Sequence, residues 1–535
     1  MARAQGAGLL TPARPAAPVP AAGRRTVLAA LAAGLAAAAC DDRTGPDPGP
    51  APTPGPRAAP SDPPTTAPAV VRPRRSLLET TFAETGRFHP VEVVAPGFVL
   101  ASATRVGAAE ERHPADLPAP FVGVEAEVEA GNGSGSGSGE VTVGLASADG
   151  RTALRARLDL DAGEVSLELV AGGSGSGDRP VVLGRSGVRL PDGPFTLGLA
   201  LCENRATVLV RPRRGAWRAL LTARDEVAAR IDFRVPATLA GLGFVWGGRA
   251  VRSARGGLFG MTGLRDPHLV QHADGTPYTE GGRVFLTWTC AGTGFFQQAH
   301  WGVFALDPEN PVAMEQVAQI YVRRDGLLLG DHAGQLVRDG ERWLVASSSW
   351  GDFDGSGVHV RHATSTADLL HGVHVLETEP LALPTDLDAW DPSLTRIDGT
   401  WTWAYVASPS QSPFDFHPAL ARADGADPFR RLRAVGADRT RHQTEGTLLV
   451  RDTDRWLVLA SDGDARQYPA YDLSLRRVGR IDAPYGTNIP HPQAIVRADG
   501  TWLIVTFDGT DRFADTLGYG GHGDVVVLTE RPRRP

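Results

Sequence analysis

Five related segments in the second half of the chain each begin with an ionisable side chain. The segments start DPHLV, DHAGQL, DPSLTR, EGTLLV and HPQAIV, and their leading residues are Asp266, Asp331, Asp391, Glu445 and His491. If the fold brings these side chains together, they could exchange protons with a bound molecule. Paired carboxyl groups can cleave a glycosidic bond, because one protonates the leaving oxygen while the other activates water or attacks the sugar. A third carboxylate nearby can raise the pKa of the acid through like-charge repulsion.

The strands around these residues predict how they are positioned. In each segment an apolar strand follows the leading residue, and a polar turn, Asp-Gly in four of the five, leads to a second strand that contains tryptophan. Asp-Gly is a strong hairpin signal, and repeats of roughly 50 residues with several strands each are typical of propeller blades. We therefore predict an all-β fold with a five-bladed β-propeller over residues 258–535. The first strand of each blade should line the axis, so the five leading side chains should form one ring. A solvated ring without chemistry is the alternative.

The residues before the propeller predict a second β domain. Between residues 76 and 250, segments such as FVGVEAEVEA and EVSLELVA alternate apolar and polar residues, with stretches rich in glycine and serine between some of them. A period of two is typical of half-buried antiparallel strands. We predict a β-sandwich of the jelly-roll or lectin-like kind, which either binds sugar or serves as a packing and spacer domain.

The N-terminal part of the chain predicts export. Residues 1–39 contain Arg24 and Arg25, then an apolar stretch too short to span a membrane, and small residues that lead to Cys40. This pattern is similar to a twin-arginine signal peptide of a lipoprotein, with Cys40 as the lipid-carrying residue. Cleavage near Ala39 without lipidation is the alternative. Residues 40–75 are rich in proline, which favours an extended, disordered linker. We expect an extracellular or cell-surface protein that meets a membrane only through Cys40.

The charge of the chain indicates whether it binds nucleic acid, and its cysteines indicate whether a disulfide is expected. The formal net charge is −7, whereas a nucleic-acid partner would require a concentrated basic surface, so we expect no nucleic-acid binding. Cys202 and Cys290 fall in different predicted domains, and we expect both to be unpaired and buried.

Three of the five segments, and the histidine of the last, resemble a family of enzymes. Asp266 in LRDPHLV, Asp391 in WDPSL and Glu445 in TEGTLL are similar to the general base, the pKa-tuning aspartate and the general acid of glycoside hydrolase family 43 and its five-bladed relatives in families 32, 62 and 68. His491 in IPHPQAI is similar to a fifth-blade histidine that in relatives lies near a central calcium or a water-filled pocket. The resemblance covers about residues 258–530. It implies hydrolysis of arabinose- or xylose-containing glycans, with inversion at the sugar carbon.

The second segment departs from the family, which commonly has a Trp-Ala-Pro sequence there. Asp331 therefore has no inherited role, and three roles stay open for it: substrate binding, metal binding, or a negative charge that alters the titration of the ring. We assign it to substrate binding together with His491 and the loop tryptophans Trp301, Trp350 and Trp390. Flat aromatic faces suit the C–H edges of sugars. The chemistry requires no cofactor, although the resemblance allows a calcium ion at the propeller axis with His491 as a ligand. We thus expect an exported glycosidase that acts on oligo- or polysaccharides. The alternative is a non-catalytic, carbohydrate-binding surface lipoprotein with a propeller scaffold.

Overall fold

The computed structural model describes residues 74–129, 139–172, 179–355, 357–511, 513 and 522–532. The predicted signal peptide, Cys40 and all but the last two residues of the predicted linker lie outside the described residues. Strands are numbered β1 to β36 in chain order. Within the described part, no helix is long and apolar enough to cross a membrane.

The strands between Val99 and Leu258 form two six-stranded antiparallel sheets. The first sheet has the order β11-β10-β9-β4-β13-β2, and its strands are Arg218–Ala223, Arg205–Pro212, Phe195–Cys202, Phe121–Val128, Val251–Leu258 and Val99–Ala103. The second sheet has the order β3-β12-β5-β6-β7-β8, and its strands are Glu111–Pro114, Leu242–Gly247, Glu140–Ser147, Thr152–Asp159, Glu164–Ala171 and Val181–Gly187. One apolar core contains side chains from both sheets, among them Val124, Leu199, Leu154 and Trp246. This arrangement is a β-sandwich, because the inward faces of two sheets bury each other.

Five further sheets each contain one of the predicted repeat segments. The first contains β14 (Leu264–Leu269), β16 (Thr279–Glu280), β17 (Arg283–Cys290), β18 (His300–Leu306), β19 (Met314–Arg324), β20 (Leu327–Leu329) and β24 (Gly372–Glu377). The second contains β15 (Gln271–His272), β21 (His332–Asp339), β22 (Arg342–Ser348), β23 (Val360–Ser365) and β25 (Glu379–Pro380). The third contains β26 (Asp388–Ile397), β27 (Thr400–Gln411), β28 (Phe414–Ala423) and β29 (Leu432–Ala437). The fourth contains β30 (Thr444–Asp452), β31 (Arg455–Asp462), β32 (Tyr468–Tyr471) and β33 (Arg477–Ile481), and the fifth contains β34 (Gln493–Val496), β35 (Trp502–Asp511), β36 (His522–Glu530) and β1 (Phe82–Phe88).

The packing between these sheets closes them into a ring. Each sheet shares an apolar core with the next one along the chain, and the fifth shares one with the first, where Phe507 and Val527 meet Leu286 and Trp288. Trp343, Trp401 and Trp502 of the second strands lie in these cores, at most 2% exposed. Five sheets closed in this way are the blades of a β-propeller, as the repeat predicted.

The N-terminal strand lies in a different place from the one predicted. The sequence placed residues 76–250 in the sandwich, but β1 pairs antiparallel with β36, with Phe82 opposite Glu530 and Phe88 opposite Val525. The last sandwich strand, β13, in turn extends to Leu258. The alternating pattern is the same for a sandwich strand and a blade strand, so the pattern alone does not reveal which sheet edge a strand covers.

The remaining elements are short. Two four-residue α-helices span Asp225–Ala228 and Pro236–Leu239, and 3-10 turns span Leu77–Glu79, Pro96–Phe98, Phe296–Gln298 and Trp350–Asp352. Cys202 and Cys290 are free and buried, as expected.

Candidate active site

The first strands of the first four blades share a local irregularity. Their pairing with the second strand shifts register at one place, between Arg265 and His268, His332 and Gln335, Trp390 and Ser393, and Glu445 and Leu448. The second residue of each shifted segment has a positive φ: 50° at Asp266, Ala333 and Asp391, and 66° at Gly446. Such bulges redirect side chains and are common beside active sites.

Hydrogen bonds between neighbouring blades hold these bulges in place. The Asp391 N–H donates to Ser348 Oγ (3.0 Å), and that hydroxyl donates to the Ala333 carbonyl (2.8 Å). The Thr447 hydroxyl donates to the Asp391 carbonyl (2.8 Å). The side chains at the bulge are therefore fixed by contacts that cross from one blade to the next.

The bulges surround a cavity of about 280 Å³ at the axis. Its polar lining includes Arg265, Asp266, His332, Asp391, Gln443, Glu445, Asn488 and His491. Its aromatic lining consists of Phe295, Phe296, Trp350, Trp390, Phe414 and Phe416. Asp266, Asp391, Glu445, His491, Trp350 and Trp390 are thus brought together at one pocket.

His491 lies at the centre of the carboxyl groups. Its Nδ1 is 3.7 Å from Asp266 Oδ1, and its Nε2 is 3.6 Å from both Asp391 Oδ2 and Glu445 Oε1. Gly446 makes room for this ring, because a Cβ at that position would lie 2.4 Å from His491 Cδ2. The Gly446 N–H also donates to Asp391 Oδ2 (3.0 Å). Asp266 and Glu445 therefore approach opposite nitrogens of a single imidazole.

The surroundings separate the proton affinities of these groups. Burial raises the pKa of Asp391 to about 8, and the nearby charges of Glu445 and Asp266 act in the same direction while His491 opposes them. Burial alone would lower the pKa of His491, but Asp391, Glu445 and Asp266 raise it to about 9. Burial alone would raise the pKa of Asp266, but Arg265, His491 and His332 lower it overall. Of Asp266 and Asp391, Asp266 is therefore the group that stays a carboxylate more readily.

Glu445 is the most accessible of the three carboxyl groups. Its side chain is 16% exposed, compared with 11% for Asp266 and 5% for Asp391. The Trp390 indole N–H donates to Glu445 Oε2 (3.2 Å), which fixes the carboxyl group towards the cavity. This position suits a group that must reach a bound molecule.

The aromatic residues form a continuous wall on one side of the pocket. Ring centroids are 4.1 Å apart for Phe295 and Phe296, 4.5 Å for Phe296 and Trp350, 5.4 Å for Trp350 and Trp390, and 5.3 Å for Trp390 and Phe416. We refer to these five residues as the aromatic wall. The repeat pattern does not identify the phenylalanines of this wall, and the FF pair in the loop after β17 is the one sequence signal for Phe295 and Phe296.

Two predicted substrate-binding residues do not line the pocket. Trp301 is 1% exposed and packs in the core between the first and second blades, because it lies within β18 rather than in a loop. Asp331 is completely buried and forms paired hydrogen bonds with Arg324, of 2.8 and 2.9 Å. In the second blade the bulge position of Asp266 and Asp391 is occupied by Ala333, so Asp331 lies two residues too early to join the ring.

Three of the clustered side chains could hold a metal ion. Asp391, Glu445 and His491 offer ligand atoms that lie within 4.8 Å of one another. Calcium takes six to eight oxygen ligands, whereas imidazole nitrogen suits zinc and other transition metals. Two carboxyls and one imidazole do not by themselves match calcium, and the calcium at the axis stays a prediction.

No protein-family model matches this chain, and no curated protein matches it either. Among solved structures, the chain is similar to a GH43_1 enzyme from Xanthomonas citri, with 14% identity, a TM-score of 0.36, and coverage of 50% of this chain and 89% of that one. It is similar to an α-L-arabinanase from Penicillium chrysogenum, with 12% identity, a TM-score of 0.33, and coverage of 64% and 90%. It is also similar to a levansucrase variant from B. subtilis, with 7% identity, a TM-score of 0.39, and coverage of 51% and 84%.

Proposed function

We propose that this protein is an exported glycoside hydrolase that cleaves arabinose- or xylose-containing glycans with inversion. The observation that carries the proposal is the pair of carboxyl groups, Asp266 and Glu445, that approach one imidazole from opposite sides in a pocket with an aromatic wall. Glycosidases require two such groups with different proton affinities, one on each side of the scissile bond.

In this proposal Asp266 is the general base. Arg265 is 3.9 Å from Asp266 Oδ1, and its charge together with that of His491 lowers the pKa of Asp266. The carboxylate can therefore accept a proton from an attacking water at neutral pH. Its positive φ of 50° directs the side chain out of the strand and into the cavity.

Glu445 is the general acid, which donates its proton to the leaving oxygen. After the transfer, the new carboxylate faces His491 Nε2 at 3.6 Å and the Trp390 N–H at 3.2 Å. A charged imidazole and an oriented N–H stabilise the negative charge that develops there. Asp391, whose pKa burial raises to about 8, lies 3.6 Å from the same nitrogen of His491.

The size and lining of the pocket favour a small sugar ring. A cavity of about 280 Å³ lies at the lower end of the range for ligand pockets. The aromatic wall offers apolar faces on which the C–H edges of a sugar can stack, and the carboxyls and Gln443 offer partners for hydroxyl groups. Pentoses are the choice that the family resemblance favours. The signal-like residues 1–39 support action outside the cytoplasm, with Cys40 as a lipid anchor.

Substitution of each proposed catalytic group tests the assignment. Glu445→Gln should lose activity on natural oligosaccharides by about 10²–10⁴-fold and retain much more of it on aryl glycosides, because a good leaving group needs no protonation. Asp266→Asn should lose activity on both substrates. NMR of the first product should show the inverted anomer.

Full activity of both variants on a substrate that the wild type cleaves would refute this assignment. Binding of oligosaccharide by the wild type without any hydrolysis would favour the alternative, a carbohydrate-binding surface protein.

A further inference from the structure

The sandwich and the propeller share an apolar core. Phe121 of β4 packs between two propeller residues, with ring centroids 5.3 Å from His300 and 5.5 Å from Tyr321. The same core contains Cys202 and Trp217 of the sandwich, and Phe121, Cys202 and Tyr321 are completely buried. A shared apolar core restricts the motion of one domain relative to the other, whereas domains that meet through a small polar interface move more freely.

The sandwich turn formed by residues 202–205, between β9 and β10, lies against a loop of the first blade. This loop, residues 291–298, contributes Ala291, Gly292, Phe295 and Phe296 to the pocket. A Cβ at Gly292 would lie 3.2 Å from Cys202 Sγ, and a Cβ at Gly294 would lie 2.7 Å from Arg205 Cδ. The loop backbone thus rests directly on the sandwich turn, with no space for a side chain between them.

The other side of the loop is joined to the catalytic cluster. The Phe295 N–H donates to the Gln298 side chain (2.8 Å), and His332 Nε2 lies 3.0 Å from the Phe296 carbonyl oxygen. His332 Nδ1 lies 3.2 Å from Thr289 Oγ1, and a hydrogen bond from Thr289 helps to lower the pKa of Asp266. A displacement at the sandwich turn would therefore move the start of the aromatic wall relative to the carboxyl groups.

An ion-pair network supports the middle of the wall, with Arg324 and Asp331 buried and Asp352 exposed. Arg324 forms paired hydrogen bonds with Asp331 and with Asp352, and Asp331 Oδ1 also accepts the Gly351 N–H at 3.0 Å. Gly351 follows Trp350, so this network fixes the turn that carries the indole. Its charges extend to the sandwich, where Glu203 and Arg234 interact electrostatically with Asp352.

We propose that the sandwich is a positioning element of the active site rather than a separate sugar-binding module. Its residues 202–205 place Phe295 and Phe296 so that these rings bind a sugar unit of the oligosaccharide beside the scissile bond. Arg205 is the positioning residue in this arrangement, and Phe295 and Phe296 determine specificity for the length of the glycan. The proposal rests on the proposed glycosidase function only for the identity of the ligand.

Arg205→Ala in the full-length protein tests this role, with Arg214→Ala as the control, because Arg214 is exposed in another turn of the same sheet. An aromatic contact of this kind corresponds to about three- to tenfold in affinity. Arg205→Ala should raise KM for xylotriose by that factor and change kcat and its pH profile little. In the Glu445→Gln background, calorimetry should show the same loss of xylotriose affinity. Gly294→Ala disturbs the same contact from the loop, because the new Cβ would lie 2.7 Å from Arg205 Cδ. It should have the same effect.

Hydrogen exchange of the peptide 291–299 gives a readout that does not depend on activity. Exchange should accelerate in Arg205→Ala and remain as in the wild type in Arg214→Ala. Unchanged exchange together with unchanged KM would overturn the proposal, as would an equal effect of both arginine variants. If the wild type neither binds nor cleaves any glycan while exchange responds as expected, the proposed glycosidase function fails and the support of the loop by the sandwich stands.

Discussion

Replacement of His491 by glutamine tests the charge balance of the catalytic cluster through the pH dependence of stability. Burial alone would lower the pKa of His491, but Asp391, Glu445 and Asp266 raise it to about 9 in the folded protein. In the unfolded chain a histidine titrates near pH 6.5. A histidine with a raised pKa stabilises the fold fully below about pH 6.5, and this contribution is lost as the pH rises through about 9.

The size of the effect follows from the two pKa values. Between them the folded protein binds about one proton more than the unfolded chain, so the free energy of unfolding should fall by about 1.4 kcal/mol per pH unit, and by about 3 kcal/mol in all. Glutamine carries no titrating group, and the variant should lack this part of the decline. Burial also raises the pKa of Asp391, to about 8. Its contribution is present below about pH 4 and lost as the pH rises through 8. Because the His491 charge opposes this rise in pKa, the loss moves to higher pH in His491→Gln, and below pH 8 both proteins share it.

Urea unfolding followed by tryptophan fluorescence, at several pH values from 6.5 to 8, measures this difference. His359→Gln serves as the control, because His359 is exposed and lies outside the cluster. The control should decline as the wild type does, and His491→Gln should decline less steeply by about 1.4 kcal/mol per pH unit. Equal slopes for the wild type and His491→Gln would refute the view that His491 is held as a cation by its three carboxyl neighbours.

Two further substitutions separate the roles of neighbouring residues. Gly446→Ala places a Cβ 2.4 Å from His491 Cδ2 at a φ of 66°. We expect backbone strain to lower the free energy of unfolding by roughly 1–2 kcal/mol. Because the new Cβ displaces His491, we also expect kcat to fall at least tenfold. Gly399→Ala has a similar φ of 80° with open space around the new Cβ, so equal kcat losses in both variants would exclude a specific effect on His491. Asp331→Asn removes a buried partner of Arg324 and should lower the free energy of unfolding by about 3 kcal/mol, with the pH profile of kcat unchanged. A shifted pH profile at unchanged stability would instead place Asp331 in the ring of ionisable side chains, as the sequence predicted.

Repeat spacing and residue type were sufficient to predict several of the side chains that meet at the pocket. Asp266, Asp391, Glu445 and His491 were identified because they recur at blade intervals, and Trp350 and Trp390 because they stand next to ring positions. Asp331 was misplaced because an alignment of segment starts does not show that the bulge of the second blade lies at Ala333. Trp301 was misplaced because one residue of strand register separates a pocket wall from an inter-blade core.

The sequence alone determined the all-β class, the number of blades and the residues available for proton transfer, since strand periodicity and repeat length are local properties of the chain. Only the tertiary structure decided that β1 completes the fifth blade, that Phe295 and Phe296 reach the pocket, and that the sandwich turn supports them. These features depend on which edges and loops meet across hundreds of residues. The tertiary structure also decides how strongly each buried carboxyl group holds a proton, because its pKa depends on burial and on all the charges and hydrogen bonds around it.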